Sequence, residues 1–294
     1  MDLLLACVLA IAGLVFGSFL NVCITRIPRD ESIISPASHC PRCGKPIRWY
    51  HNVPVLSFLL LKGRCADCRE RISIRYPLVE VLTAVLFVAC LAKFGLNFAL
   101  LKFAAFAFLL IGLIFMDAET GLLPAEFTYP GIAVGILFAC FVPVDSSGTK
   151  FLFRLMGVQA NLSPRQLSIF DALIAALVGA AFFYVIWAIY YLVRKRHGLG
   201  FGDIALIAMS GTFLGLKLTL FVLFAAPIIG AAYGVVLLLR NRTRGDTSQN
   251  SRLTTAEMLR FGEIPFGVFL GACSLLAVFW GEAACSLYLA WAGL

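Results

Sequence analysis

The 294-residue chain is 61% hydrophobic before glycine is counted, carries 14% charged residues and has a mean hydropathy of +0.93. Soluble globular proteins are about 45–50% apolar and about 25% charged. A water-soluble enzyme with a conventional core, a disordered chain and a disulfide-stapled secreted domain are therefore excluded, and an all-α polytopic membrane protein remains. The net charge of +8 is read as a topology signal, with no nucleic acid as partner, because basic loops stay in the cytoplasm.

A span needs about 20 apolar residues to cross about 30 Å of hydrocarbon. Eight candidates follow in chain order, at 3–25, 77–95, 98–116, 127–143, 170–193, 204–217, 218–239 and 265–291. All are expected as helices, since backbone in lipid must satisfy its own hydrogen bonds and no alternating barrel strands occur. The first opens with Asp2 and lacks a basic n-region, so it is expected to stay attached rather than be removed as a signal peptide. With the N-terminus outside, the ten Lys/Arg from Arg26 to Arg75, three from Arg194 to Arg196 and five from Arg240 to Arg260 face the cytoplasm. As one helix the 36 residues of 204–239 would run about 54 Å, and a single span there would put five cations outside. They are read as two spans. Residues 144–169 form an outer loop with no assigned structure. The expected division is 1–25, a first transmembrane helix; 26–76, a cytoplasmic zinc-ribbon-like loop domain; and 77–294, a helical catalytic domain.

Six of the ten cysteines lie in or beside apolar spans, where Cys behaves as a small hydrophobe. The other four form two Cys-x-x-Cys pairs, Cys40 with Cys43 and Cys65 with Cys68, with 21 residues between them. That spacing suits a four-thiolate structural zinc site, and metal binding would order a segment too small to fold on its own core. Paired disulfides and a dithiol redox site are the competing readings, and a reducing cytoplasm weakens both. His39 is a possible substitute ligand.

Acids at the edge of hydrocarbon are expensive and therefore functional candidates. Asp117 closes the apolar run 109–116, and Asp203 ends Gly198-Leu199-Gly200-Phe201-Gly202-Asp203 and opens the next span. Both are expected at one depth, on the cytoplasmic side. Singly, Asp203 reads equally well as a helix N-cap and Asp117 as a solvated surface residue. Together, two close carboxylates share a proton, so that one acts as base towards water while the other polarises a peptide carbonyl. Gly211 and Gly215, in small-x-x-x-small spacing, suit close helix packing.

With these residues laid out, the chain resembles the bacterial prepilin peptidases. The resemblance runs nearly end to end through Gly17-Ser18-Phe19-Leu20-Asn21-Val22, the paired Cys-x-x-Cys loop, Tyr76-Pro77-Leu78-Val79-Glu80, Asp117 with Leu122-Leu123-Pro124, Gly200-Phe201-Gly202-Asp203, and Gly262-Glu263-Ile264-Pro265-Phe266-Gly267. It implies an intramembrane aspartic endopeptidase of the bacterial inner membrane. Such an enzyme removes the basic leader of a type IV prepilin or type II secretion pseudopilin after a Gly at the cytoplasmic face, with Asp117 and Asp203 catalytic. It also implies N-methylation of the new terminus from S-adenosylmethionine, for which no Gly-x-Gly-x-x-Gly site after a strand is present. Two positions depart from the family pattern: Ala125 stands where Asp is common and Ala205 where Lys is common, a cation that would stabilise ionised Asp203. The loop from Arg26 to Arg75, with ten cations against four acids, should repel a basic leader and attract anionic lipid. Other classes kept in view are a proton- or cation-coupled transporter using intramembrane carboxylates, and a membrane-tethered zinc-ribbon binding module.

Overall fold

A computed structural model describes residues 3–157, 162–195, 200–243 and 265–292. Arg196, residues 197–199, the basic segment 244–260 and Gly262, Glu263 and Ile264 lie outside the described residues. The described chain is helical almost throughout, with two isolated bridges and no strand among those residues. It forms two compact units, residues 1–116 and 117–294.

The first unit holds α1 (Leu3–Arg26), the short α2 (Leu56–Leu60), α3 (Arg75–Phe94) and most of α4 (Phe98–Thr120). α1 and α3 pack backbone to backbone. A Cβ on Gly13 would lie 2.5 Å from Ala84 Cα and one on Gly17 2.6 Å from Glu80 Cα, so only glycine admits this approach. At the end of the pair, buried Asn21 donates to the Tyr76 carbonyl (3.0 Å), and Arg26 donates to the carbonyls of Ser32 and Pro36 (2.9 and 2.7 Å), folding the chain into the four-cysteine loop. Phe94 and Phe103 stack at 4.5 Å across the turn between α3 and α4.

The second unit holds the last turn of α4, then α5 (Ala125–Phe141), α6 (Ser147–Leu155), α7 (Pro164–Arg194), α8 (Phe201–Thr243) and α9 (Phe266–Ala292). The expected outer loop thus contains a helix, α6, whose low overall hydropathy marks no span. α7 opens on a complete capping box, Ser163 with Gln166. α8 is broken at Gly215 (φ 78°, ψ 174°). A Cβ on Gly179 would lie 3.0 Å from Ile207 Cγ1 and 3.4 Å from Thr219 Cγ2, whereas twelve residues of straight helix would separate those residues by about 18 Å. The chain therefore reverses at Gly215. The neighbours along α9 agree: Ser210 meets Ser274 (3.0 Å) on the first arm, while Leu218 faces Gly281 and Gly230 faces Phe269 on the returning arm.

Six helices are long and apolar enough to cross a membrane; with the shorter apolar Ala125–Phe141 and the two arms of α8 the eight expected spans are all represented. Gly211 does pack against the Ala175–Ala176 backbone, but Gly215 serves the reversal instead of helix packing.

Buried Asp171 holds that reversal. Its Oδ2 accepts the Leu216 N–H (3.0 Å) at the start of the second arm, and Oδ1 accepts the Thr149 hydroxyl of α6. Beside it, Lys217 pairs with Asp145 (3.3 Å) and Glu282 (2.7 Å). Asp171→Ala would leave a buried amide and hydroxyl unpaired, costing about 2–3 kcal/mol, whereas Asp171→Asn keeps an acceptor. Thermal unfolding in detergent should show a clear fall in midpoint for the alanine variant and a smaller one for asparagine; equal midpoints for wild type and alanine would contradict the role.

Candidate functional site

Asp117 lies in the last turn of α4. The helix stops there because Gly121 adopts φ 66° and its N–H returns to the Asp117 carbonyl (2.8 Å). The extended link Leu122-Leu123-Pro124 follows, and Pro124 occupies the N-cap of α5. Asp117 is only 5% exposed to solvent, so the surface reading fails. Its Oδ2 accepts the Val268 N–H (2.9 Å), which belongs to the first turn of α9.

Asp203 is also buried. It is the third residue of α8 rather than its N-cap, a place taken by Gly200. The carboxylate reaches back to the Gly200 N–H (3.1 Å) while the Asp203 N–H donates to the Gly200 carbonyl (3.2 Å). Each aspartate is therefore bound to the amide-rich, partially positive start of a helix, which favours negative charge.

One leucine joins the two. A Cβ on Gly202 would lie 2.6 Å from Leu123 Cβ and 3.3 Å from its Cδ1, while one on Gly267 would lie 2.9 Å from the same Cδ1 and 2.9 Å from Asp117 Oδ2. The backbone beside Asp203 and the backbone that cradles Asp117 are thus a single side chain apart. Sequence reasoning had Leu123 and Gly267 only as parts of motifs. Their work is close approach, which hydrophobic periodicity does not encode. Glu119, Ala125 and Glu126 are exposed and Ala205 is half-buried.

In the other unit the four expected cysteines converge, with ligand atoms all within 4.8 Å of one another and Cys40 Sγ 3.8 Å from Cys68 Sγ. Thiolates at about 2.3 Å around a tetrahedral metal lie about 3.8 Å apart, so the cluster fits a metal ion. The two knuckles repeat each other: Cys40 N donates to Lys45 O (3.0 Å) and Cys65 N to Glu70 O (2.8 Å), with Gly44 (φ 69°) and Arg69 (φ 60°) at matching turns. Backbone amides of Cys68 and Asp67 bring the Cys65 thiol down to about 7. A backbone bond at Glu70 lowers Cys68, but desolvation and the neighbouring thiols outweigh it and push Cys68 up to about 12. Four sulfurs gathered this closely offer a bound cation a complete donor set. His39 is not part of the cluster; its ring contacts the Ala37 carbonyl (3.2 Å).

The profile described as "Bacterial Peptidase A24 N-terminal domain" matches residues 11–94, and that of the "Type IV leader peptidase family" matches residues 103–235. A "Prepilin leader peptidase/N-methyltransferase" of Myxococcus xanthus (strain DK1622) is 40% identical over 85% of this chain and 68% of its own. The chain belongs to the type IV leader peptidase family. Relatives of the same name from Neisseria gonorrhoeae (34% identical, 78% of this chain and 80% of its own) and Aeromonas hydrophila (32%, 94% and 91%) agree. No solved structure matches. This leader peptidase is thus a membrane-embedded enzyme, and neither fold nor relatives support the transporter reading.

Gly202→Ala would drive a methyl group into Leu123, whose Cβ cannot swing away. A displacement of about 1 Å at a reacting centre costs about a hundredfold in rate. The variant should melt below wild type, by the cost of overpacking, and, at a temperature where both remain folded, cleave a leader substrate at least tenfold more slowly; an unchanged initial rate would show that the contact does not position Asp203.

Proposed function

We propose that this leader peptidase is an intramembrane aspartic endopeptidase that removes the leader of a type IV prepilin or type II secretion pseudopilin after Gly, at the cytoplasmic face of the inner membrane. Asp117 and Asp203 are its catalytic pair. The observation that carries the reading is that two buried carboxylates, each held by the first turn of a helix, sit beside backbone packed on the same leucine, Leu123. Two carboxyls confined there share one proton. The ionised one takes a proton from water, the water oxygen attacks the scissile carbonyl, and the protonated one hydrogen-bonds the developing oxyanion. When the carbon–nitrogen bond breaks, the leaving amine receives the proton taken from water. Gly200, whose missing Cβ leaves open space beside the Asp203 carboxylate, lets an extended substrate backbone come near.

The loop of residues 26–76 is proposed as a module ordered by zinc on Cys40, Cys43, Cys65 and Cys68, distinct from the hydrolytic helices. Zinc supplies folding energy there and takes no part in hydrolysis. Anionic lipid is its expected non-substrate partner. N-methylation of the new terminus from S-adenosylmethionine is the second activity, and the relatives' name, prepilin leader peptidase/N-methyltransferase, supports it.

Incubation with a prepilin, followed by mass spectrometry of the mature N-terminus, reports the cut and any added methyl together. Asp117→Asn and Asp203→Asn should each reduce cleavage by at least about 10³-fold with the fold retained; residual cleavage near wild type in either would remove that residue from the pair. Purified protein should also carry one zinc per chain by elemental analysis, and Cys43→Ser or Cys68→Ala should lose it. Full zinc content in both would place the metal elsewhere.

A further inference from the structure

The short helix α2 (Leu56–Leu60) is built inside out. Leu56, Leu59 and Leu60, spaced to share one face, are 53%, 65% and 72% exposed. The buried position is the polar one: Ser57 Oγ accepts the Val53 N–H (3.0 Å) and donates to the Tyr50 carbonyl (3.1 Å). Water outside would favour the opposite arrangement, whereas an apolar medium suits this one.

Its depth is fixed by a buried carboxylate. Glu80 Oε2 accepts the N–H of Val55, the N-cap of α2, at 2.7 Å. Glu80 is five residues into α3, about 7.5 Å along its axis. α2 therefore lies against the first turns of a membrane-spanning helix whose neighbouring Leu78, Val81 and Val85 are themselves exposed. The anchorage is firm enough to keep Val55, a β-branched residue, at φ 59°. Charge completes the pattern. Residues 48–64 contain Arg48, Lys62 and Arg64, all exposed, and no Asp or Glu. Trp49, 82% exposed, has the amphipathic ring favoured at headgroup level.

We propose that the segment 48–64 is an interfacial anchor, with Leu56, Leu59 and Leu60 inserted among acyl chains and Arg48, Lys62 and Arg64 on anionic lipid headgroups. The proposal rests on the membrane reading and the expected lipid partner, not on the peptidase chemistry, so a failed cleavage assay leaves it standing. It assigns the loop's positive charge to holding the metal module on the bilayer surface.

The test uses the full chain in nanodiscs containing phosphatidylglycerol. Leu60→Trp adds a reporter at an exposed position, and subtracting the parent's emission isolates it. Acyl-brominated lipid should quench that emission, aqueous acrylamide should not, and replacing phosphatidylglycerol by phosphatidylcholine should reduce the lipid quenching. Adding Leu56→Asp and Leu59→Asp should open the reporter to acrylamide. Acrylamide quenching without bromolipid quenching in the anionic nanodiscs overturns the proposal. So does shielding that arises only on adding a second protein, which would assign the face to a protein partner. Insensitivity to lipid charge overturns the electrostatic part.

Discussion

A carboxylate buried among apolar helices persists only if something satisfies it, and here the partner is repeatedly the start of a helix. The four buried acids among the described residues are Glu80, Asp117, Asp171 and Asp203. Each accepts a backbone N–H at or beside an N-terminus: Val55 before α2, Val268 in α9, Leu216 opening the second arm of α8, and Gly200 before its first. Helix starts carry unpaired amides and partial positive charge. Every such junction therefore favours an anion.

The same device serves different ends. At Asp171 and Glu80 it pins one structure each: the reversal of α8, and the four-cysteine loop against α3. At Asp117 and Asp203 two such junctions meet across Leu123, with glycine on either side. A lone buried carboxylate is an anchor. The proposed pairing of Asp117 with Asp203 would supply the two carboxyls needed to activate water against a peptide bond.

Much of this was legible in the sequence. The spans followed from hydropathy, and the four-cysteine cluster from spacing alone. The length of 204–239 forced a choice of two spans, which Gly215 enacts. What could not be read was contact across sequence. Nothing around Asp117 announces that α9 will offer it an amide 151 residues later. Asp203 looked like a cap because Asp is a common N-cap; Gly200 takes that position and the acid folds back onto it. α6 escaped notice because its pattern is weakly apolar overall, and α2 because polar-in, apolar-out reverses the soluble convention.

The central claim is that Asp117 and Asp203 act as one unit sharing a proton and a water molecule. The pH dependence of kcat/KM for leader cleavage by the wild-type enzyme in lipid tests it most directly. A shared-proton pair requires one carboxyl ionised and one protonated, so the rate should fall on both the acid and the alkaline side of a single optimum. A profile that rises to a plateau, with no alkaline limb up to the pH at which the protein unfolds, would show that no protonated carboxyl is needed and would contradict the account.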